Sequence, residues 1–383
     1  MRLRVNVLDL NIAMCETRGM PTKKAKADTG ARRPPRPVSL KELAAHLGLS
    51  PTTLSLVLND SPLAVSIPQE TKDRIFAAAE GFDYRPNFLA RSLRARRSYT
   101  VGVLVPEVSD GYAAMVLSGV EDHLMQEGYF YILASHRHKP ELIDHYPRLF
   151  FDRRVEGLIA VDTQCHQRPP LPVVSVSGHE DVEGITNIVL DHDRAAHLAL
   201  EYLVKLGHRQ IAFIKGQDFS SDTAVRWQSI SDVAARLGVK IQPSLAAQLE
   251  GDSPSPEVGY VAAKKLLAAA NPFTALFAFN DISAIGAIRA FLEAGLRVPE
   301  DVSVIGFDDI HAAAFHNPAL TTIRQPLWQM GKLAAETLLK RIAGGPEAEY
   351  PEILTVEPEL VIRQSTSEAP RLVAARARAR KGS

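Results

Sequence analysis

From Tyr99 onward the chain alternates short apolar runs with helical stretches, and this alternation constrains the fold more than any other feature. The runs are TVGVLVP, FYILAS, EGLIAVD, PVVSVS, ITNIVLD, QIAFIKG, ALFAFN and SVIGFDD. Apolar runs separated mostly by helical segments specify a parallel sheet with crossover helices. The alternation is too long for one comfortable sheet and falls into two series of strand-helix units, so two lobes are expected.

Ahead of Tyr99 the texture is purely helical. Ser39 followed three residues later by Glu42 forms a capping box before Leu43, Ala44 and Leu47, and Gly48 ends the helix. Ser50 offers a second N-cap with Pro51 at the first helical position, and Leu54, Val57 and Leu58 share one face. Two short helices joined by a glycine turn make a helix-turn-helix candidate. A third amphipathic helix over Gln69 to Gly81, with Ile75, Ala78 and Ala79 inward, completes a small all-α domain over 38–83.

Composition decides what surrounds these units. The chain balances 44 Lys/Arg against 44 Asp/Glu, yet residues 1–98 hold 17 against 9. Most of the excess sits in the first 37 residues, whose Lys, Arg, Pro and small residues cannot repay their ordering entropy by burial. A disordered basic arm is expected over 1–37, with Met20 as an alternative start, and a flexible basic tail over 367–383. This charge favours nucleic acid without establishing it. Cys15 and Cys165 match no disulfide framework or metal spacing, which suits a reducing cytoplasm. No leader pattern and no apolar stretch of about 18 residues is present, so neither secretion nor a membrane partner is expected.

VSLKELAAHLGLSPTTLSLVLND, followed by IPQETKDRIFAAAEGFDYRPNFLARSLRARRSYTVGVLVP, closely resembles the LacI/GalR family of bacterial transcriptional regulators. The match continues through RRVEGLIAVD, LVKLGHRQIAFIKG, FNDISAIGAIRAFLEAGLRVPEDVSVIGFDD and PALTTIRQP, covering about residues 38–363. It implies a DNA-binding headpiece, a hinge helix over 84–98, and a periplasmic-binding-protein-like α/β core. Its first lobe would comprise 99–192 and 325–354, its second 193–324 and 355–366. The implied partners are double-stranded operator DNA, a sugar-like small-molecule effector and a second copy of the chain. No cofactor or metal is implied.

On physical grounds, Pro51, Thr52, Ser55 and Leu56 turn away from the apolar face of the second helix and can reach base edges in a major groove. Thr53 and Asn59 lie where the family contacts phosphates or braces that helix. At Leu56 many relatives carry arginine, which reads guanine bidentately; leucine can instead lie against a thymine methyl, or it can belong to the headpiece core. In the hinge, the resemblance makes Leu93 a wedge between base steps, with Ala90 beneath it and Arg94 beside it, and adds Tyr84 and Asn87 to the DNA-binding set. Arg91, Arg94, Arg96 and Arg97 are positioned to neutralise phosphates.

For the effector, the resemblance points to Arg226, Asn280 and Asp308, a guanidinium, an amide and a carboxylate able to hold a polyol. Asp110 and Tyr112 fall on the loop after the first core strand, and Gln325 at a lobe crossover. Each also has a plainer reading: Asp308 or Asn280 as a cap or turn former, Arg226 as a surface charge. Where several relatives place an aromatic against the ligand, this chain has Ser253. The effector therefore stays open among a neutral sugar, a phosphorylated sugar, a nucleobase or none, with a sugar as the default.

An enzyme would need a converging constellation. The Phe307, Asp308, Asp309 run lacks an accompanying nucleophile or phosphate-cradling loop. His136 and His138 have no nearby cysteine or carboxylate in sequence and read as solvated. The principal rival is a solute-binding module without DNA activity. The tail has no leucine heptad, so a tail-built tetramer is not expected.

Overall fold

The structure, a computed structural model, describes residues 38–59, 61–84, 97–109, 111–165, 170–179, 182–269, 271–345 and 350–370. The chain divides into two compact units, Met1–Phe88 and Leu89–Ser383. The expected arm over 1–37, Asn87, Ala90, Leu93 and Arg94 of the hinge, Asp110, and the tail from 371 onward lie outside the described residues.

In the first unit, α1 (Leu40–Leu47) starts with the expected capping box between Ser39 and Glu42 and stops at Gly48, whose φ of 66° is the left-handed conformation glycine adopts without strain. Helix α2 (Pro51–Leu58) is capped by Ser50, which accepts from the Thr53 amide at 3.0 Å. A 3-10 turn over Pro62–Ser66 leads to α3 (Gln69–Gly81). Leu43, Ala44, Leu54, Val57, Ala64 and Ile75 form one small core.

The second unit holds two six-stranded sheets. We number the strands β1 (Thr100–Val105), β2 (Phe130–Ser135), β3 (Leu158–Val161), β4 (Val173–Val176), β5 (Ile185–Leu190), β6 (Ile211–Lys215), β7 (Ala246–Gln248), β8 (Ala275–Phe277), β9 (Ser303–Asp308), β10 (Thr321–Arg324), β11 (Ile353–Val356) and β12 (Glu359–Val361). The first sheet runs β11-β5-β4-β3-β1-β2 and the second β12-β10-β9-β8-β6-β7. Every pairing is parallel except that of β10 with β12. All eight runs read from the sequence are strands; β7, β10, β11 and β12 were not among them.

The helices are α4 (Gly111–Gln126), α5 (Pro140–Asp152), α6 (His192–Lys205), α7 (Asp222–Arg236), α8 (Pro256–Ala268), α9 (Asp281–Glu293), the short α10 (His311–Phe315) and α11 (Leu327–Gly344). Helices α4 and α11 cover one face of the first sheet around Val103, Ile159 and Met330. Helices α6 and α7 cover one face of the second, and α8 and α9 the other. Among the described residues no helix is long and apolar enough to cross a membrane.

The chain passes between lobes after β5, after β10 and between β11 and β12. Strand β11 pairs with β5 through Val356, so the return to the second lobe falls after 356 rather than after 354. The tail also begins later than 367: the Ser367 amide donates to Ser303 Oγ at 3.0 Å, and the Ala369 amide to the Leu206 carbonyl at 2.8 Å.

Candidate functional site

In the headpiece, Pro51 and Thr52 are exposed at the start of α2, and Asn59 at its end. Asn59 Nδ2 donates to the Ser55 carbonyl at 2.7 Å and to Ser55 Oγ at 3.2 Å, bracing the last turn. Thr53 Oγ1 lies 2.8 Å from Ser50 Oγ, inside the cap. Leu56 is half-buried against the headpiece core, as is Tyr84. Part of the leucine packs, and part remains at the surface.

Arg97 is held by partners within the core. Its guanidinium is 3.0 Å from Glu156, hydrogen-bonds the Tyr129 hydroxyl and lies 5.0 Å from the centre of the Tyr99 ring. Glu156 also accepts from the Tyr99 amide at 2.8 Å, so Arg97 is anchored to the start of the first sheet.

The cleft between the lobes of the core takes its lining from loops at the carboxyl ends of strands in both lobes. That is where doubly wound sheets place ligands, because the strand ends diverge and helix N-termini converge there. Glu107 follows β1, His138 follows β2 and Asp162 follows β3; Phe219 and Asp222 follow β6, Asp252 and Ser253 follow β7, Asn280 follows β8, and Asp308 ends β9. Asp162, Ser177, His179, Asp308 and Asp309 adopt positive φ, between 42° and 105°. Such strain in non-glycine residues persists where surrounding contacts over-determine it.

Of the expected effector residues, the cleft gathers Tyr112, Arg226, Asn280 and Asp308. Tyr112 is in the first turn of α4, not on the preceding loop, and its hydroxyl lies 2.9 Å from Ser177 Oγ. Burial, then the charges of Asp222 and Asp162, push its pKa well above the usual range, so it is a neutral hydroxyl. Asn280 caps α9, its side-chain oxygen accepting from the Ser283 amide at 2.9 Å, so the plainer reading holds while the residue also lines the cleft. Gln325 is absent from the lining: it donates to Asp308 Oδ1 at 2.7 Å and positions that carboxylate from behind.

Arg226 is no surface charge. It is 4 % exposed, donates to the Phe279 carbonyl at 2.6 Å and to Asp222 Oδ2 at 2.6 Å, and its guanidinium carbon lies 3.7 Å from the Phe307 ring centre and 4.5 Å from that of Phe279. Stacking and pairing fix its plane in the cleft wall. Its partner Asp222, which sequence reasoning missed, opens α7, where helix-terminal N–H groups favour a carboxylate. Burial alone would raise the Asp222 pKa; Arg226, His192 and His179 override it and hold the carboxyl well below the usual range. The signal available in sequence was only the i, i+4 spacing of Asp222 and Arg226.

Contacts cross between the lobes here. Ser221 Oγ donates to Asp162 Oδ1 at 2.6 Å and lies against the Ser177 carbonyl, and His179 Nε2 is 2.6 Å from Asp222 Oδ1. At the rim, His138 of the first lobe stacks on Phe219 of the second with ring centres 3.8 Å apart. Phe219 is thus an aromatic surface in the cleft of a chain that has Ser253 where relatives carry one.

His136 is not solvated either. It is 2 % exposed, with Nε2 3.0 Å from Thr163 Oγ1 and Nδ1 accepting from the His138 amide at 3.1 Å. Burial, and then the neighbouring His138, lower its pKa from 6.5 to about 4. The unfolded chain therefore binds the extra proton first as pH falls, and stability declines between about 6.5 and 4. On replacing His136 with Gln we expect this acid loss, up to about 3 kcal/mol, to flatten. Urea unfolding of both proteins at pH 7 and 4.5 checks it; an unchanged pH dependence would contradict the assignment.

A helix-turn-helix headpiece joined in one chain to a two-lobed core with a polar cleft at its strand ends defines a ligand-responsive DNA-binding regulator. Residues 39–87 match bacterial regulatory proteins of the lacI family, and residues 200–366 match a periplasmic binding protein-like domain. The HTH-type transcriptional repressor PurR of Haemophilus influenzae is 32% identical over 338 residues, covering 85% of this chain and 98% of that protein. The repressor of the same name from Pasteurella multocida is 33% identical over 336 residues, with 85% and 98% covered. The chain belongs to the lacI family of bacterial transcriptional regulators; it is not an enzyme, and a headpiece matched along with the core sets aside a bare solute-binding module.

Among solved structures, the Lac repressor dimer bound to operator and the anti-inducer ONPF superposes with a TM-score of 0.76 at 26% identity, over 87% of this chain and 100% of that one. A LacI family regulator from Enterococcus faecium with bound ribose gives 0.61 at 26% identity, over 70% and 99%.

Proposed function

We propose that the protein acts in the cytoplasm as a homodimeric repressor, reading a pseudo-palindromic operator in double-stranded DNA and switched by a neutral, sugar-like effector in the interlobe cleft. The observation that carries the effector class is the charge of the lining. Glu107, Asp162, Asp252 and Asp308 are carboxylates, whereas the guanidinium of Arg226 and the carboxylate of Asp222 neutralise each other. Such a wall repels phosphate and offers acceptors to hydroxyl groups. Phe219 supplies an apolar face for a sugar ring. The LacI family regulator from Enterococcus faecium with bound ribose is in keeping with this class. Effector binding would alter the lobe rotation and hence DNA affinity by a coupling free energy of about 1–3 kcal/mol.

On the DNA side we assign Pro51, Thr52, Ser55 and Leu56 to base edges, Thr53 and Asn59 to phosphates or support, and the hinge set of Tyr84, Asn87, Ala90, Leu93 and Arg94 to the minor groove. A paired comparison tests the division of labour. Leu93→Ala is expected to weaken operator binding about tenfold or more while leaving unchanged the thermal shift produced by a panel of neutral mono- and disaccharides. Asp308→Ala is expected to abolish that shift and preserve binding to operator. Equal effects of both substitutions on both readouts would contradict the proposal.

A further inference from the structure

His179, His192 and Asp222 bring three ligand atoms within 4.8 Å of one another, drawn from the loop after β4, the first turn of α6 and the first turn of α7. Asp222 Oδ1 is the meeting point, 2.6 Å from His179 Nε2 and 3.3 Å from His192 Nε2. The His192 side chain is only 2% exposed. Its Nε2 lies 3.3 Å from the carboxylate, and its Nδ1 has no hydrogen-bond partner among the described residues. A buried imidazole left this way costs free energy that a ligand of the right chemistry recovers.

We propose that these three side chains bind a divalent transition-metal ion of the zinc type, bridging the two lobes beside the effector cleft. Two imidazoles and a carboxylate are a sufficient zinc ligand set that leaves a fourth position open. Bonds of about 2.0–2.1 Å in a tetrahedron hold ligand atoms roughly 3.3 Å apart. The His192–Asp222 spacing of 3.3 Å already meets this, His179 has to retreat from its 2.6 Å contact with Asp222, and the two histidines' ligand nitrogens lie within 4.8 Å of each other.

Asp222 Oδ2, the oxygen facing away from the histidines, is held at 2.6 Å by Arg226, the kind of outer hydrogen bond that orients a ligating carboxylate. The same arginine opposes the added charge, which favours moderate over extreme affinity. Asp222 also lines the cleft, placing the ion next to the bound effector and letting it favour the closed arrangement of the lobes. None of this depends on the effector's identity.

The test uses the purified full chain, stripped with a chelator and titrated with Zn²⁺ against a chromogenic competitor. One equivalent is expected to bind and to raise the unfolding temperature. His179→Ala and His192→Ala should each lower that affinity at least tenfold and remove the thermal shift, with circular dichroism confirming that both variants fold. The more exposed His179 keeps the test decisive if the His192 variant fails to fold. Wild-type protein that binds no Zn²⁺ at micromolar concentration, or folded variants that bind it as tightly as wild type, would overturn the proposal.

Discussion

Asp222→Ala is expected to destabilise the core by about 3–5 kcal/mol, among the largest effects available to a single substitution here. Its carboxylate lies between Arg226, His179 and His192, and all four groups are buried or nearly so. Removing it strands a guanidinium that is 4 % exposed, and the desolvation already incurred by that cation is no longer offset. It also deletes the His179 link between the lobes. Urea unfolding at neutral pH measures the loss, and Asp222→Asn, which keeps the shape and removes the charge, should fall between the alanine variant and wild type. A loss below about 1 kcal/mol in the alanine variant would show that the cluster contributes no more than a surface ion pair.

The second large effect concerns helix packing. A Cβ placed on Gly331 of α11 would sit 1.9 Å from the Val116 carbonyl oxygen of α4, and one placed on Gly119 of α4 would sit 1.9 Å from the Trp328 carbonyl oxygen of α11. Each helix therefore approaches the other through a glycine, with backbone atoms rather than side chains in the way. The second lobe repeats the device: a Cβ on Gly286 would lie 1.8 Å from the Pro256 carbonyl oxygen, and one on Gly259 would lie 2.1 Å from that of Ser283. Gly331→Ala must separate two helices over a sealed core, so a cost at or above the upper end of about 1–3 kcal/mol is expected. Gly119→Ala should cost a similar amount, and the double variant less than the total of the two, because the first substitution opens the contact for the second. Strict additivity by chemical denaturation would contradict a shared crossing.

Much of the architecture was legible because its signals are local. The capping box at Ser39 and Glu42, the proline at the start of α2 and the eight apolar runs each report on a few neighbouring residues. The two-lobe division followed from counting strand-helix units. What escaped was set by long-range packing: β11 is a strand through its pairing with β5 and β12 through its pairing with β10, and the attachment of Ser367 depends on Ser303, far away in the chain.

The same holds for the site. Arg226, Asn280 and Asp308 were recognisable through their surrounding motifs, yet their environments were not. Nothing near Gln325 in sequence shows that it braces Asp308, and nothing around His136 reveals that the end of β2 is covered. Asp222 and Phe219 were missed because an acidic residue at a helix start and an aromatic in a loop are ordinary features until the second lobe is laid against the first.

Leu56 offers the most direct measurement of operator recognition. It is half-buried against the headpiece core, and we assign its remaining surface to a base edge. Bound sequences should be selected from a random duplex pool with the purified full chain, and again with Leu56→Arg. A palindrome is expected with wild type, and the same palindrome with a guanine gained in each half-site in the variant, since arginine reads guanine bidentately. A palindrome unchanged by the substitution would place Leu56 wholly in packing, and failure of the wild-type protein to enrich any sequence would contradict operator recognition itself.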